Sequence, residues 1–206
     1  MLIKELLDNQ KVIFCGPLFN ESDEFLKNYD TVIRTNNFFS IDKNILKSER
    51  CDILITNRLY YKFNHNIIIE NLDKIKCLIL FDDDCYLDLL KRFPKEELGK
   101  VVKAVGPDDY IRYKGKPFLL IKFVGFLTKF FKPNEFFIDG LDFYDSKDIS
   151  KFWLPGYAIK QSMKCNVLER DKDNHHIPSN KKYLKEKIKK YGWIKVGEMV
   201  RKSLSS

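Results

Sequence analysis

Short apolar runs, too short for helices, recur along the chain and alternate with stretches of helical pattern. This alternation constrains the fold more than any other feature. Lys11–Cys15 is rich in strand-forming residues and stops at Gly16-Pro17, so it predicts a buried strand closed by a turn. Thr31–Arg34, Asp52–Thr56, Lys76–Phe81, Lys100–Val105, Glu135–Asp139 and Trp193–Val196 predict further strands. The spacing predicts helices over Glu21–Lys27, Asp42–Ser48, Tyr86–Phe93, Lys95–Gly99, Phe118–Phe131, Lys181–Lys190 and Glu198–Ser203. Strands separated by helices form βαβ units. The expected class is α/β, a mostly parallel Rossmann-like sheet flanked by helices. The 206 residues suit one domain, 1–206. Residues 141–178 lack periodicity, carry Pro155, Gly156 and Pro178, and read as a lid segment.

Composition narrows the setting. An apolar fraction of 44% supplies a core, and charged residues at 32% argue for an ordered, water-exposed surface. The net charge of +8 suits nucleic acid, an anionic membrane or a phosphorylated ligand, and equally a lysine-rich solvated surface. Cys15, Cys51, Cys77, Cys85 and Cys165 form no CxxC pair, which argues against a disulfide framework and structural zinc. A reducing cytoplasm is the default expectation. The first seven residues are too short and too charged for a signal peptide. No run approaches the roughly 18 apolar residues of a membrane span. The longest, Phe118–Phe131, is broken by Lys122 and Lys129.

In an open parallel sheet, ligands bind beyond the carboxyl ends of the strands. The residues there are Gly16 after the first strand, Asn36 after the second, Asn57 after the third, and Gly140-Leu141-Asp142-Phe143-Tyr144 after the sixth. Asparagine both donates and accepts, which suits base and ribose edges. Glycine lets a phosphate or sugar approach the backbone. Both are also ordinary turn formers, so it is their recurrence at corresponding ends that points to a ligand. Neither a GxGxxG nor a GxxxxGK[ST] motif is present. Of the three histidines, His65 reads as a surface residue, while His175 and His176 adjoin before the basic helix. A histidine there suits a general base, and a solvated pair is the plainer alternative. Asp82-Asp83-Asp84 suits a divalent cation or, equally, a solvated acidic turn. No metal and no cofactor is expected.

The segment Lys11–Phe39 resembles the opening of bacterial sialyltransferases of glycosyltransferase family 42 and the related bacterial family 29-like proteins. Arg34-Thr35-Asn36 matches an Arg-x-Asn motif. The run Asp52–Asn57 matches a strand ending in asparagine, and Phe136–Tyr144 a strand followed by Gly-x-Asp-Phe-Tyr. His175-His176-Ile177-Pro178 resembles the histidine before the last helix. The matches keep family order. The chain departs from the pattern at Pro17, where the family has asparagine, and at Lys116–Leu120, which lacks a Ser/Thr-Gly step. Ser150 stands where a second tyrosine is expected.

The resemblance implies a glycosyltransferase A-type variant with a lid. It implies inverting, metal-independent transfer of sialic acid from CMP-sialic acid to a glycan hydroxyl. Gly16, Asn36 and Asn57 would contact the CMP portion, with Gly140 and Asp142 in the same substrate-binding set. Tyr144 would donate a hydrogen bond to the leaving phosphate. His176 would take the acceptor's proton, with His175 as its alternative. A lipid-linked acceptor would bring the protein to the inner membrane face, with Lys181–Lys190 and Arg201-Lys202 toward anionic lipid, unless those charges are a solvated face. Family members often form homo-oligomers. No nucleic-acid partner is expected from the resemblance. The alternative is a non-catalytic nucleotide- or glycan-binding module, or a basic nucleic-acid binder using Arg58–Phe63 to stack bases.

Overall fold

The computed structural model describes residues 2–36, 38–57, 65–93, 95–143 and 175–206. Every predicted strand forms: β1 (Lys11–Cys15), β2 (Thr31–Thr35), β3 (Ile53–Thr56), β4 (Cys77–Leu80), β5 (Val101–Lys103), β6 (Glu135–Asp139) and β7 (Ile194–Val196). They make one seven-stranded sheet in the order β5-β4-β3-β2-β1-β6-β7. Each neighbouring pair is parallel. The chain builds outward from β1 through β5 and then returns to place β6 and β7 on the other side of β1. The order therefore reverses between β1 and β6, the place where parallel sheets open a crevice.

The central strands are buried on both faces, which is why they read as unbroken apolar runs. On one face, Val12 and Phe14 of β1 meet Phe136 of β6 and helix α5 (Leu119–Phe130). Phe123 of α5 lies 6.1 Å from Phe14 and 5.8 Å from Phe136, ring to ring. Helices α1 (Leu2–Leu7), α6 (Ile177–Lys190) and α7 (Glu198–Ser205) complete that layer. On the other face, Ile13 and Cys15 pack with Phe19, with Leu26 of α2 (Asp23–Leu26) and with Val32. Farther along that face, helical residues 65–70 (α3) and α4 (Asp83–Arg92) cover β3 and β4. No described helix is long and apolar enough to cross a membrane.

The structure departs from the sequence reading in three places. Residues 42–48 form turns, with no helix. Asp42 accepts from the Asn44 amide at 2.9 Å, and Asn20 bridges the Ile45 carbonyl (2.9 Å) and the Lys47 amide (2.9 Å). These side-chain bonds take the backbone groups a helix would need. Helix α6 starts at Ile177, so residues 177–178 belong to its first turn. Residues 141–143 sit against the core, with Phe143 1% exposed. The lid residues 144–174, with Tyr144, Ser150, Tyr157 and Cys165, lie outside the described residues, as does Arg58–Phe63. The basic helix also keeps one of its charges inside. Lys187 is 9% exposed and binds Asp109 at 2.7 Å, beside the Tyr183 hydroxyl, which donates to Asp109 at 2.9 Å. The Lys187 charge is thus satisfied within the fold, while Lys182, Lys185, Lys189 and Lys190 face water.

Helix α5 crosses the loop after β5 at Gly125, where an added Cβ would stand 2.2 Å from Pro107 Cβ. Alanine gains about 1 kcal/mol of helix propensity over glycine, but overpacking a rigid ring costs about 1–3 kcal/mol. Gly125→Ala is therefore expected to lower the midpoint of urea unfolding. An unchanged or raised midpoint would show that the contact is not tight.

Candidate functional site

The site grows from the crossing of two glycines at the reversal point. The Gly16 amide donates to the Asp139 carbonyl at 2.8 Å, and the Leu18 amide to the Gly140 carbonyl at 3.0 Å. The turn after β1 is thereby laced to the end of β6. A Cβ on Gly16 would lie 2.3 Å from the Gly140 carbonyl oxygen. Gly140 has φ +73°, and a Cβ there would lie 2.4 Å from Phe19 Cβ. Both positions need glycine, one for space and one for space and backbone angle.

The neighbouring strand ends carry the two asparagines. Asn36 has φ 49°, in the left-handed region that asparagine tolerates better than most residues. Its amide donates to the Ile55 carbonyl at 2.8 Å, and its Oδ1 accepts from the Asn57 amide at 3.3 Å. The ends of β2 and β3 are thus tied through the Asn36 side chain. Because β6, β1, β2 and β3 are consecutive in the sheet, Gly140, Gly16, Asn36 and Asn57 follow one another across its carboxyl edge. At about 4.8 Å between strands, that row spans roughly 14 Å, enough for an extended ligand.

A second group closes in from the other side. Phe143 has φ 53°, an unusual backbone for an aromatic residue, and its buried ring meets Phe118 edge to face at 5.9 Å. Phe118 in turn stacks on the His175 ring at 4.6 Å and 30°. His175 Nδ1 lies 2.9 Å from the Lys116 carbonyl. A carbonyl only accepts, so Nδ1 carries a proton. His176 has the opposite arrangement. It is the N-cap of α6, and its Nδ1 accepts from the Ser179 amide at 3.3 Å and lies 2.8 Å from Ser179 Oγ. Its neutral ring therefore carries the proton on Nε2. Asp142 is anchored through its carbonyl, which accepts from Ser203 Oγ of α7 at 2.8 Å.

A cavity of about 400 Å³ opens beside Gly140, lined by Phe19, Asn20, Glu21, Asp139, Glu198 and Lys202 among others. Asp139 holds the Gly140 amide at 2.9 Å. Burial pushes its carboxyl above the ordinary range, the Gly140 hydrogen bond works against that, and the Glu21 and Glu198 charges add to the rise. Nothing in the periodicity marked Asp139 beyond its being a strand terminus. Among the described residues no group of three or more His, Cys, Asp or Glu could hold a metal ion.

Two further residues matter that sequence reasoning did not place. Arg34, the first residue of the Arg-x-Asn motif, is 3% exposed. Its guanidinium lies 4.6 Å from the Phe38 ring and donates to the carbonyls of Arg50 (3.3 Å), Phe19 (3.4 Å) and Ser48 (3.5 Å). It stitches loops together beneath the site. Asn180 is fully buried at the start of α6, with its amide turned to the 116–118 loop. The described cysteines are all buried. Burial pushes the Cys15 and Cys77 thiols up to about 12, so they are inert.

No family model matches the chain, and no curated protein matches it by sequence. Solved structures do. The sialyltransferase CstII from Campylobacter jejuni, in complex with the substrate analogue CMP-3FNeuAc, is similar over 91% of this chain and 78% of that one. The TM-score is 0.51 and the sequence identity 18%. A second structure of CstII, with cytidine-5'-monophosphate, covers 69% of this chain and 72% of that one, at TM-score 0.42 and 14% identity. The first likeness shows that this chain has the sialyltransferase-like α/β fold.

The raised proton affinity of Asp139 has a consequence for stability. An acid that binds its proton more tightly in the fold opposes folding once ionised, and this cost fades as pH falls through the raised value. Asp139→Asn should therefore raise Tm at neutral pH by about 1–3 °C, a modest amount because the side chain is half in water. The gain should shrink on mild acidification. A gain independent of pH would show that the Asp139 charge is not its source.

Proposed function

We propose that the row of strand ends binds the CMP portion of CMP-sialic acid and that the protein transfers sialic acid to a glycan hydroxyl, with inversion and without a metal. The observation that carries this reading is the arrangement of Gly140, Gly16, Asn36 and Asn57 on consecutive strand ends. The fold likeness to CstII, whose structure holds CMP-3FNeuAc, supports it. The glycines admit the ligand to the backbone, and the asparagines offer amide groups to base and ribose. Glu198 is paired with Lys202 at 2.6 Å, and the Glu21 and Asp139 carboxylates disfavour a phosphate, so the donor's anionic groups lie away from the cavity beside Gly140. That cavity suits uncharged hydroxyls of a glycan acceptor.

In the reaction, the acceptor oxygen forms a bond to the anomeric carbon of sialic acid. The bond from that carbon to the CMP phosphate oxygen breaks, and the acceptor's proton passes to an imidazole. The two histidines divide the work. His176 uses its Nδ1 lone pair to cap α6, which leaves the role of proton acceptor to His175. This inverts the order that sequence spacing suggests. Tyr144, which lies outside the described residues, is assigned to donate a hydrogen bond to the leaving phosphate.

The assay is release of CMP from CMP-sialic acid in the presence of a galactoside. His175→Ala should lower kcat by about a hundredfold or more, the usual contribution of a general base. His176→Ala should cost about 1 kcal/mol of stability as a lost cap while keeping most of the turnover. The reverse pattern would move the proton acceptor to His176. Binding of CMP by the wild-type protein without turnover would make it a nucleotide-binding module instead.

A further inference from the structure

We propose that Ile111 and the lysines around it dock this protein on an anionic lipid bilayer, with Ile111 entering the lipid and Lys114, Lys116, Lys182, Lys185 and Lys189 facing its head groups. The proposal does not depend on the transferase reading. Residues 108–116 run antiparallel along one side of α6 and are pinned to it at successive points. Asp109 meets Lys187 at 2.7 Å, and Arg112 and the Tyr113 hydroxyl donate to Glu186 at 2.7 and 2.6 Å. The Lys114 amide donates to Ser179 Oγ at 3.1 Å. The Tyr110 ring stacks on Tyr113 at 5.2 Å, and Tyr183 lies 5.4 Å from each. The chain is thus held on both sides of Ile111, yet that side chain is 92% exposed. A lone exposed apolar residue is ordinary, so it is the setting of Ile111 that singles it out.

That setting is one of charge. The acids of residues 108–116 and of α6 are Asp108, Asp109 and Glu186. Each is taken by a cation: Lys129, Lys187 and Arg112 respectively. The exposed lysines are left in excess. Lys182, Lys185 and Lys189 follow the helical repeat and line one stripe of α6, beside Glu186 and the segment that carries Ile111. Lys114 and Lys116 are exposed on that segment itself. The excess charge is therefore lysine charge, while the arginine is spent on Glu186. Lysine is a hydrated point charge, whereas the arginine fork reads single phosphates or carboxylates. Lysine alone suits the diffuse charge of a bilayer better than the fixed carboxylates of an acidic protein. An aliphatic side chain among basic residues adds an apolar group that can enter the interface. A nucleic acid would call for an exposed ring to stack its bases, and Tyr110 and Tyr183 are buried against one another.

The test is cosedimentation with vesicles, without CMP or acceptor, so that its outcome is separate from that of the turnover assay. Wild-type protein should bind vesicles of phosphatidylcholine with about a third phosphatidylglycerol, and not phosphatidylcholine alone. Binding should weaken as salt rises from about 0.05 to about 0.5 M. Each lysine near such a surface contributes roughly fivefold, so Lys185→Gln with Lys189→Gln should weaken binding about twentyfold. The same pair of changes at Lys91 and Lys95, in and after α4, should alter it less than about twofold. Ile111→Ser should weaken binding about tenfold at unchanged net charge, and Ile111→Trp should keep it or strengthen it. Both variants alter an exposed side chain and should keep the wild-type circular dichroism spectrum. No binding to the anionic vesicles at low salt would overturn the proposal. So would equal losses from the two lysine pairs, or an Ile111→Ser protein that binds as wild type does. Binding to single-stranded RNA that exceeds vesicle binding and needs Lys185 and Lys189 would overturn it in favour of a nucleic-acid surface.

Discussion

The contact between Gly16 and Gly140 is the constraint on which the rest of the site depends. β1 and β6 are adjacent and parallel, and their turns leave the sheet side by side. They can be laced together by the Gly16 and Leu18 amides only because neither glycine has a Cβ to keep them apart. A third glycine extends the same crowding, since a Cβ on Gly197 after β7 would meet the Asp139 carboxylate at 2.1 Å. With backbone packed against backbone here, polar main-chain groups lie at the opening of the sheet. The reversal of strand order places a crevice there.

The central strands were legible because they are buried on both faces, and burial of that kind leaves continuous apolar runs with turn residues after them. β1 and β6 carry the predicted limits. The fold class followed from their alternation with helices. Residues 42–48 were misread because their conformation is decided by Asn20, on a distant loop that no local pattern can reveal. Arg34 shows the same limit in a motif. Its place in the motif does not say what it does, and its side chain turns into the protein and is held by carbonyls and the Phe38 ring. Asn180 gave no signal at all, since a buried asparagine in the first turn of a helix looks like any polar residue of a lysine-rich stretch.

The paired histidines show why adjacency in sequence says little about chemistry. Spacing to Pro178 favours His176, but that spacing belongs to the helix cap, where a side-chain acceptor three residues before a buried turn satisfies a backbone amide. His175 stands one residue earlier and outside the helix, so its ring can turn to the Lys116 carbonyl and stack on Phe118. The charge of α6 separates in a similar way. Lys187 serves the core through Asp109, and Glu186 binds Arg112 at 2.7 Å, so a basic sequence is partly an internal network.

The central claim is that one ligand lies across the ends of β6, β1, β2 and β3. Amide NMR during titration with CMP tests it most directly. The account predicts saturable shifts concentrated at Gly16, Asn36, Asn57 and Gly140, with little change along α4, which covers β3 and β4. Shifts centred on the exposed lysines of α6, or none at the four strand ends at saturating CMP, would contradict it.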